Sequence, residues 1–152
     1  MNKKLHLIGS VCIINDNKVL FLKRTPNVDS PNVWSLPGGH VENKESFFQA
    51  ALREVHEETN LDIQLEGITN TVHLSRKDSE YFMFFFVSHV EDTSNLKVDG
   101  KENNEYCWLS LTKIENNKIE FRHELLKKAA IKALTQKPTS LNLLNEYFEN
   151  EK

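Results

Sequence analysis

Residues 53–60 read REVHEETN, which places Glu54, Glu57 and Glu58 within one and a half helical turns. Carboxylates three or four apart on a helix share a face and repel by about 0.2–0.5 kcal/mol per pair. Glu57 and Glu58 also fall near the C-terminal end of the candidate helix, where the macrodipole disfavours anions. Both costs vanish when a divalent cation binds. Mg²⁺ takes oxygen ligands, and it favours a few carboxylates together with waters and substrate phosphates. Carboxylates spaced i, i+3, i+4 on a rigid helix can hold two such ions. That arrangement clamps the attacking water and the leaving oxygen of a phosphoryl displacement. The competing reading is a solvated charged face, and Arg53, one turn before Glu57, has the spacing of an ordinary helix ion pair.

A second feature stands upstream. Gly38-Gly39 lets the backbone turn tightly and approach a ligand closely, so a carbonyl there can complete a metal's shell.

These residues need a helix and a turn to hold them. Ser46 is a candidate N-cap, and Gln49 completes a capping box. Phe48, Ala51, Leu52 and Val55 follow the i, i+3, i+4, i+7 spacing of a buried stripe, which predicts a helix over 46–59 with the glutamates opposite. Residues 5–14 and 18–24 read as strands joined by a turn at Asn15-Asp16-Asn17. Segment 34–42 predicts a short strand entering a glycine turn. Segments 68–75 and 80–90 predict a second hairpin, and the run Phe82–Val87 is apolar on both faces, as in a central strand. Residues 105–111 form a further strand and 122–135 a second helix. Ser140–Lys152 is expected as a short amphipathic helix through Leu141, Leu144, Tyr147 and Phe148. Mixed strands and helices favour an α/β fold, a mixed sheet sandwiched between helices as α/β/α. The expected division is a domain over 1–137 and a tail over 138–152 that belongs to it or forms an interface.

The chain has 152 residues, enough for one ordinary domain. A net charge of −3 argues against a general nucleic-acid binder. Cys12 and Cys107 are read as two buried thiols, since a disulfide framework needs more cysteines. No run reaches the roughly 18 apolar residues of a membrane helix, and no secretory signal is visible. The expected location is the cytoplasm.

Residues 39–61, GHVENKESFFQAALREVHEETNL, resemble the box of the Nudix (MutT-like) hydrolase family. Gly39, Glu45, Arg53, Glu54, Val55, Glu57, Glu58 and Leu61 match its defined positions. Asn60 departs, standing where the family has Gly. Asn is the next most tolerant residue of the left-handed conformation usual past a helix end, at a cost of about 1 kcal/mol. The resemblance implies a Nudix fold. It also implies hydrolysis, with Mg²⁺ or Mn²⁺, of a nucleoside diphosphate linked to another group. Glu54, Glu57, Glu58 and the Gly39 carbonyl would be metal ligands, with one glutamate as base. Glu45 and Arg53 would lock the loop to the helix. A later carboxylate is also implied, for which Glu102 and Glu105 both qualify; Glu102 is favoured because Glu105 begins a strand. Arg24 at the end of its strand would reach substrate phosphates, with Gly38 beside it. His40 and His56 fall at variable positions and are read as non-catalytic.

The short chain, the WSLPGGHVE lead-in and the aromatic strand resemble members that convert nucleoside triphosphates, oxidised ones included, to monophosphate and pyrophosphate. Nucleotide sugars and dinucleoside polyphosphates are the alternative substrates. A non-catalytic nucleotide sensor is the alternative of another class. The expected partner is a small nucleotide, with no nucleic-acid polymer and no membrane, and the expected state is a monomer or homodimer.

Overall fold

The computed structural model describes residues 2–116 and 118–150. In chain order the elements are β1 (Lys4–Asn15), β2 (Lys18–Arg24), β3 (Trp34–Ser35), β4 (Gly38–His40), α1 (Phe47–Thr59), β5 (Gly67–Ser75), β6 (Ser79–His89), β7 (Asn103–Ser110), α2 (Leu111–Glu115) and α3 (Glu124–Thr135). The turn between β1 and β2 holds Asp16 and Asn17 at φ 50° and 57°. These are the left-handed conformations a tight hairpin requires and Asp and Asn tolerate.

The strands form one mixed sheet in the order β3-β2-β1-β6-β5, with β4 beside β1 and β7 beside β2. β1 and β6 run parallel from Lys4 to Ile14. β5 and β6 form the expected antiparallel hairpin. β1 pairs with β2 only at Ile14 and Asn15, and with β4 at Ile8–Ser10. One edge of β1 is thus shared between two partners, which opens the sheet beside β4.

Side chains alternate between two cores, as the period of a strand demands. Val11, Ile13, Leu20, Leu22 and Phe86 pack with Ala51 and Val55 under α1. Cys12, Ile14, Val19, Phe21, Phe85 and Val87 pack with Leu126, Ala129 and Ala130 under α3. The α/β/α sandwich is therefore present, and β6 is covered on both faces. Phe82 is the exception: at the outer end of β6 it is 42% exposed and stacks on His73 at 4.6 Å. Cys12 is buried and Cys107 only half-buried, and both are free thiols. Burial pushes the Cys12 thiol up to about 12 and the Cys107 thiol to about 11.

The tail corrects an expectation. It forms one 3-10 turn at Leu141–Leu143, and the chain then runs without helix to Asn150. Residues 151–152 lie outside the described residues. Leu141 and Leu144 pack against the core beneath α1, whereas Tyr147 is 85% exposed. The segment is too short for a self-supporting helix, and it is held instead by contacts with the sheet and with α1. Thr139 pairs with Ile68 of β5, and the Glu146 carboxylate accepts from the Phe47 N–H at 2.9 and 3.1 Å. No helix among the described residues is long and apolar enough to cross a membrane.

Candidate active site

The position of α1 is set at both ends and along its length. Ser46 accepts from the Gln49 N–H, and the Gln49 side chain accepts from the Ser46 N–H, the reciprocal box its sequence predicts. Gly9 of β1 lets the helix start lie close: a Cβ there would stand 3.0 Å from the Phe47 carbonyl. The C-terminal end is closed by Asn60 at φ 62°, ψ 16°, whose N–H donates to the His56 carbonyl. The Asn60 side chain also donates to the Asn95 carbonyl at 3.1 Å, a bond the family's glycine could not make.

β4 then brings the double glycine against the carboxylates. Gly39 pairs with Gly9, and a Cβ on Gly39 would meet the Glu54 carboxyl carbon at 2.6 Å. A side chain at Gly39 would push that carboxylate from where it stands. The Gly38 N–H donates to Glu58 Oε2 at 2.8 Å, and Asn103 lies 3.4 Å from its other oxygen. Gly38 itself adopts φ +153° with no space for a side chain.

Arg53 is the hub of the acidic face. It holds Glu45 bidentately, at 2.7 and 3.0 Å, and so ties the loop before α1 to the helix. Its Nη1 also contacts Glu54 at 2.9 Å and Glu57 at 3.2 Å, and its Nη2 donates to the His40 carbonyl. As placed, no three acidic, His or Cys side chains among the described residues converge on one point. The guanidinium stands between Glu54 and Glu57 as the local cation.

The electrostatics follow from burial. Glu58 is only 5% exposed. Burial holds its carboxyl well above the ordinary range, the Gly38 N–H opposes that, and Glu54 and Glu102 add repulsion. Glu54 is also raised, first by burial, with Arg53 opposing and Glu57 and Glu102 reinforcing. Glu45 moves the other way, because the Arg53 hydrogen bonds favour its ionised form. Burial and mutual repulsion thus act against the charged forms of Glu54 and Glu58. Hard oxygen donors in that state fit a small divalent cation.

Of the later glutamates, Glu102 is the one whose charge reaches Glu54 and Glu58. Glu105 instead pairs with Lys23 at 3.3 Å. Arg24 is buried at 7% exposure and binds Asp29, through its carbonyl and its carboxylate, both at 3.0 Å.

Beside Gly38 and Gly39 lies a cavity of about 310 Å³. It is the part of the α3-facing side of the sheet that α3 leaves uncovered: His6, Ile8 and Ser10 of β1 continue the row that leads to buried Cys12 and Ile14. Tyr81 and Met83 of β6 and the start of α3, with Arg122 and His123, complete the wall. His6 stacks on Tyr81 at 4.5 Å, and its Nδ1 lies 2.9 Å from His40 Nε2. The His123 Nδ1 accepts from the Leu125 N–H, which caps α3. Arg24 is not part of this wall, while Asp29, Arg122 and His123 are. The sequence reading missed Arg122, His123, Tyr81 and Asn103. None carries a spacing signal: strand pairing places Tyr81 and Asn103, and the segment leading into α3 places Arg122 and His123.

This fold and this box define a class of hydrolase, and the comparisons agree. The chain belongs to the NUDIX domain family, whose model matches residues 5–129. The RNA pyrophosphohydrolase of Pelagibacter ubique (strain HTCC1062) is 26% identical over 137 residues, covering 79% of this chain and 85% of that protein. The 8-oxo-dGTP diphosphatase of Proteus vulgaris is 32% identical over 85 residues, covering 56% of this chain and 76% of its own. A NUDIX hydrolase structure from Nitrosomonas europaea superposes with a TM-score of 0.79 at 26% identity, covering 95% of this chain and 98% of that one. The chain is thus a Nudix hydrolase by family, acting within a group whose members attack nucleotide pyrophosphates.

Proposed function

We propose that this protein uses a divalent cation to hydrolyse nucleoside triphosphates, those with an oxidised base included, to monophosphate and pyrophosphate. The observation that carries this reading is the adjacency of two surfaces. The Gly38-Gly39 backbone, which the Glu54 and Glu58 carboxylates contact, also lines a cavity whose wall includes His6, Tyr81, Met83 and Leu74. The first surface suits a phosphate chain with its cation, and the second suits a flat base. Support also comes from the Proteus vulgaris relative, named for an oxidised nucleoside triphosphate.

Glu54, Glu57, Glu58 and the Gly39 carbonyl would hold Mg²⁺ or Mn²⁺, with Glu102 as a further oxygen donor. The bound cation would neutralise phosphate charge and lower the pKa of the attacking water. A glutamate of this face would take the water's proton. Glu45 keeps Arg53 and the loop in register with the helix. The Gly38 N–H orients Glu58. A sensing domain without turnover would have no need of the intact carboxylate set.

A second reading rests on the Pelagibacter ubique relative, whose name assigns it an RNA pyrophosphate. Exposed His40 of β4 stands among the residues that line the cavity. The test is a substrate panel with Mg²⁺ and with Mn²⁺: nucleoside triphosphates with and without 8-oxo bases, nucleotide sugars, dinucleoside polyphosphates and 5′-triphosphorylated RNA. Pyrophosphate release from the free nucleoside triphosphates is the expected result. Preferential attack on the RNA would replace the first reading with the second, and no cleavage with either metal would leave a sensing domain.

A further inference from the structure

Two histidines of the cavity wall are hydrogen-bonded to each other. Tyr81 stands opposite His6 in the parallel pairing of β1 and β6, and His40 stands opposite Ile8 in the pairing of β1 and β4. Alternation along β1 puts His6 and Ile8 on one face, and both histidines line the cavity beside Gly38 and Gly39. His6 Nδ1 lies 2.9 Å from His40 Nε2. The His6 ring is nearly parallel to that of Tyr81, at 9° and 4.5 Å, and the Arg76 guanidinium lies 5.3 Å from the centre of the same Tyr81 ring. The His40 carbonyl accepts from Arg53, which ties this strand to α1. Neither His6 Nε2 nor His40 Nδ1 has a partner among the described residues. No third His, Cys or carboxylate among them joins the pair as a metal site.

The partner decides what a histidine presents. In a neutral imidazole one nitrogen donates and the other accepts. A carbonyl or carboxylate behind one nitrogen fixes the tautomer, and with it the character of the other nitrogen. A second histidine does not, because it can donate as well as accept. Where His40 Nε2–H donates to His6 Nδ1, His6 Nε2 carries a proton and is a donor. Where His6 Nδ1–H donates to His40 Nε2, His6 Nε2 is bare and is an acceptor. In passing from the first state to the second, the shared proton moves from His40 to His6, His6 Nε2 releases a proton to water and His40 Nδ1 takes one up. The net charge does not change. His40 is exposed, so its outer nitrogen meets water, while His6 is half-buried and held on Tyr81. Such an inversion is what separates bases of one shape. The amino group of adenine donates where a keto oxygen accepts, and N7 of guanine accepts where the N7–H of its 8-oxo form donates.

We infer that the His6–His40 pair reads the base, and that His6 Nε2 meets a donor or an acceptor with the same nitrogen, so that the site admits bases differing only by that exchange. This rests on the proposed function and names its substrate range: amino and keto purines, oxidised and unoxidised, are taken alike. His6 determines specificity, and His40 is a positioning residue that leaves both states of His6 open. A site with a fixed donor or acceptor rejects the opposite base, because a polar group is left unpaired.

The test uses the full chain with Mg²⁺ and nucleoside monophosphates, which hold no pyrophosphate bond to cleave. The probes are AMP with IMP, and GMP with 8-oxo-GMP. Two-bond ¹H–¹⁵N spectra at about pH 8, where imidazole is neutral, show which ring nitrogen carries the proton, and His6→Phe and His40→Phe assign the signals. His6 Nε2 is expected to carry the proton with one member of at least one pair and to be bare with the other. Calorimetry should find the members of each pair bound within about threefold of each other, whereas a fixed tautomer separates them about tenfold or more. His6→Phe keeps a ring on Tyr81 and should weaken all four ligands about tenfold. One tautomer of His6 with all four overturns the exchange, and the spectra of the unaltered chain decide this even if a variant misfolds. Unchanged affinity in His6→Phe, or no binding of any of the four, overturns the base-reading role. Because no turnover enters, an inactive substrate panel would sink the proposed reaction and leave this result standing. An active panel with a fixed His6 tautomer would sink the pair alone.

Discussion

Glu57 and Glu58 sit next to each other in the chain and have opposite surroundings. Glu57 is about half exposed and touches Arg53, whereas Glu58 is buried under the Gly38 N–H. Exposure makes Glu57 the cleaner test of the proposed chemistry, because its loss removes a charge without opening the core. Glu57→Gln is expected to lower turnover at least tenfold, which corresponds to about 1.4 kcal/mol of barrier. Its unfolding free energy in EDTA should stay within about 0.5 kcal/mol of the parent. Steady-state kinetics beside a urea melt would decide it; a smaller loss of turnover would remove Glu57 from the cation site. The carboxylates were legible in the sequence because helical spacing alone puts them on one face. Asn103 was not, because nothing local distinguishes it from its neighbours in KENNEYCW, and its role comes from the pairing of β7 with β2. Arg24 was legible only in part. Its place at the end of a strand could be read, but the carboxylate covering it arrives from a loop.

At the scale of elements, α1 carries its own instructions, and two predictions test its ends. Asn60 combines a left-handed backbone with a side-chain bond to Asn95. Asn60→Gly relieves about 1 kcal/mol of backbone strain but loses a hydrogen bond of similar size, so thermal stability should hardly move. Asn60→Ala loses the bond and keeps the strain, and should cost about 1–2 kcal/mol. If the glycine variant proves as unstable as the alanine one, backbone strain is not the governing term. At the other end, the Glu45–Arg53 lock sets a pH dependence. The folded-state pKa of Glu45 lies below its ordinary 4.5. The unfolded chain therefore binds the proton first as pH falls. The stability this pair gives is present in full above about pH 4.5 and disappears as pH drops through the lower folded value. Glu45→Gln should lose about 1–3 kcal/mol at neutral pH, with the gap from the parent closing in acid. A gap that stays constant from pH 7 to pH 3 would show that packing, not charge, supports the loop. The hairpin of β5 and β6 was equally legible from its two apolar runs. The attachment of β4 to β1 was not, since three residues carry no periodicity.

At the scale of the molecule, the sandwich is two cores back to back on one sheet, and the tail closes the edge of one of them. Leu141 and Leu144 cover the core beneath α1, Thr139 extends β5 by a bridge to Ile68, and Glu146 binds the first N–H of α1. The last contact joins the tail to the site, because α1 is the helix that bears Glu54, Glu57 and Glu58. An anion at a helix N-terminus contributes about 0.3–1 kcal/mol, and two partly buried leucines about 1 kcal/mol each. Ending the chain after Pro138 should therefore cost about 3 kcal/mol, or roughly 6–12 °C in melting temperature for a domain of this size. A milder variant separates the terms: Glu146→Gln keeps the leucines and removes only the charge at the start of α1, so it should lose about 1 kcal/mol or less. If the shortened chain melts with the full one, the tail is an appendage and the leucine contacts carry no stability. If it melts early but Glu146→Gln does not, the tail stabilises through its leucines alone, and the charge at the head of α1 adds nothing.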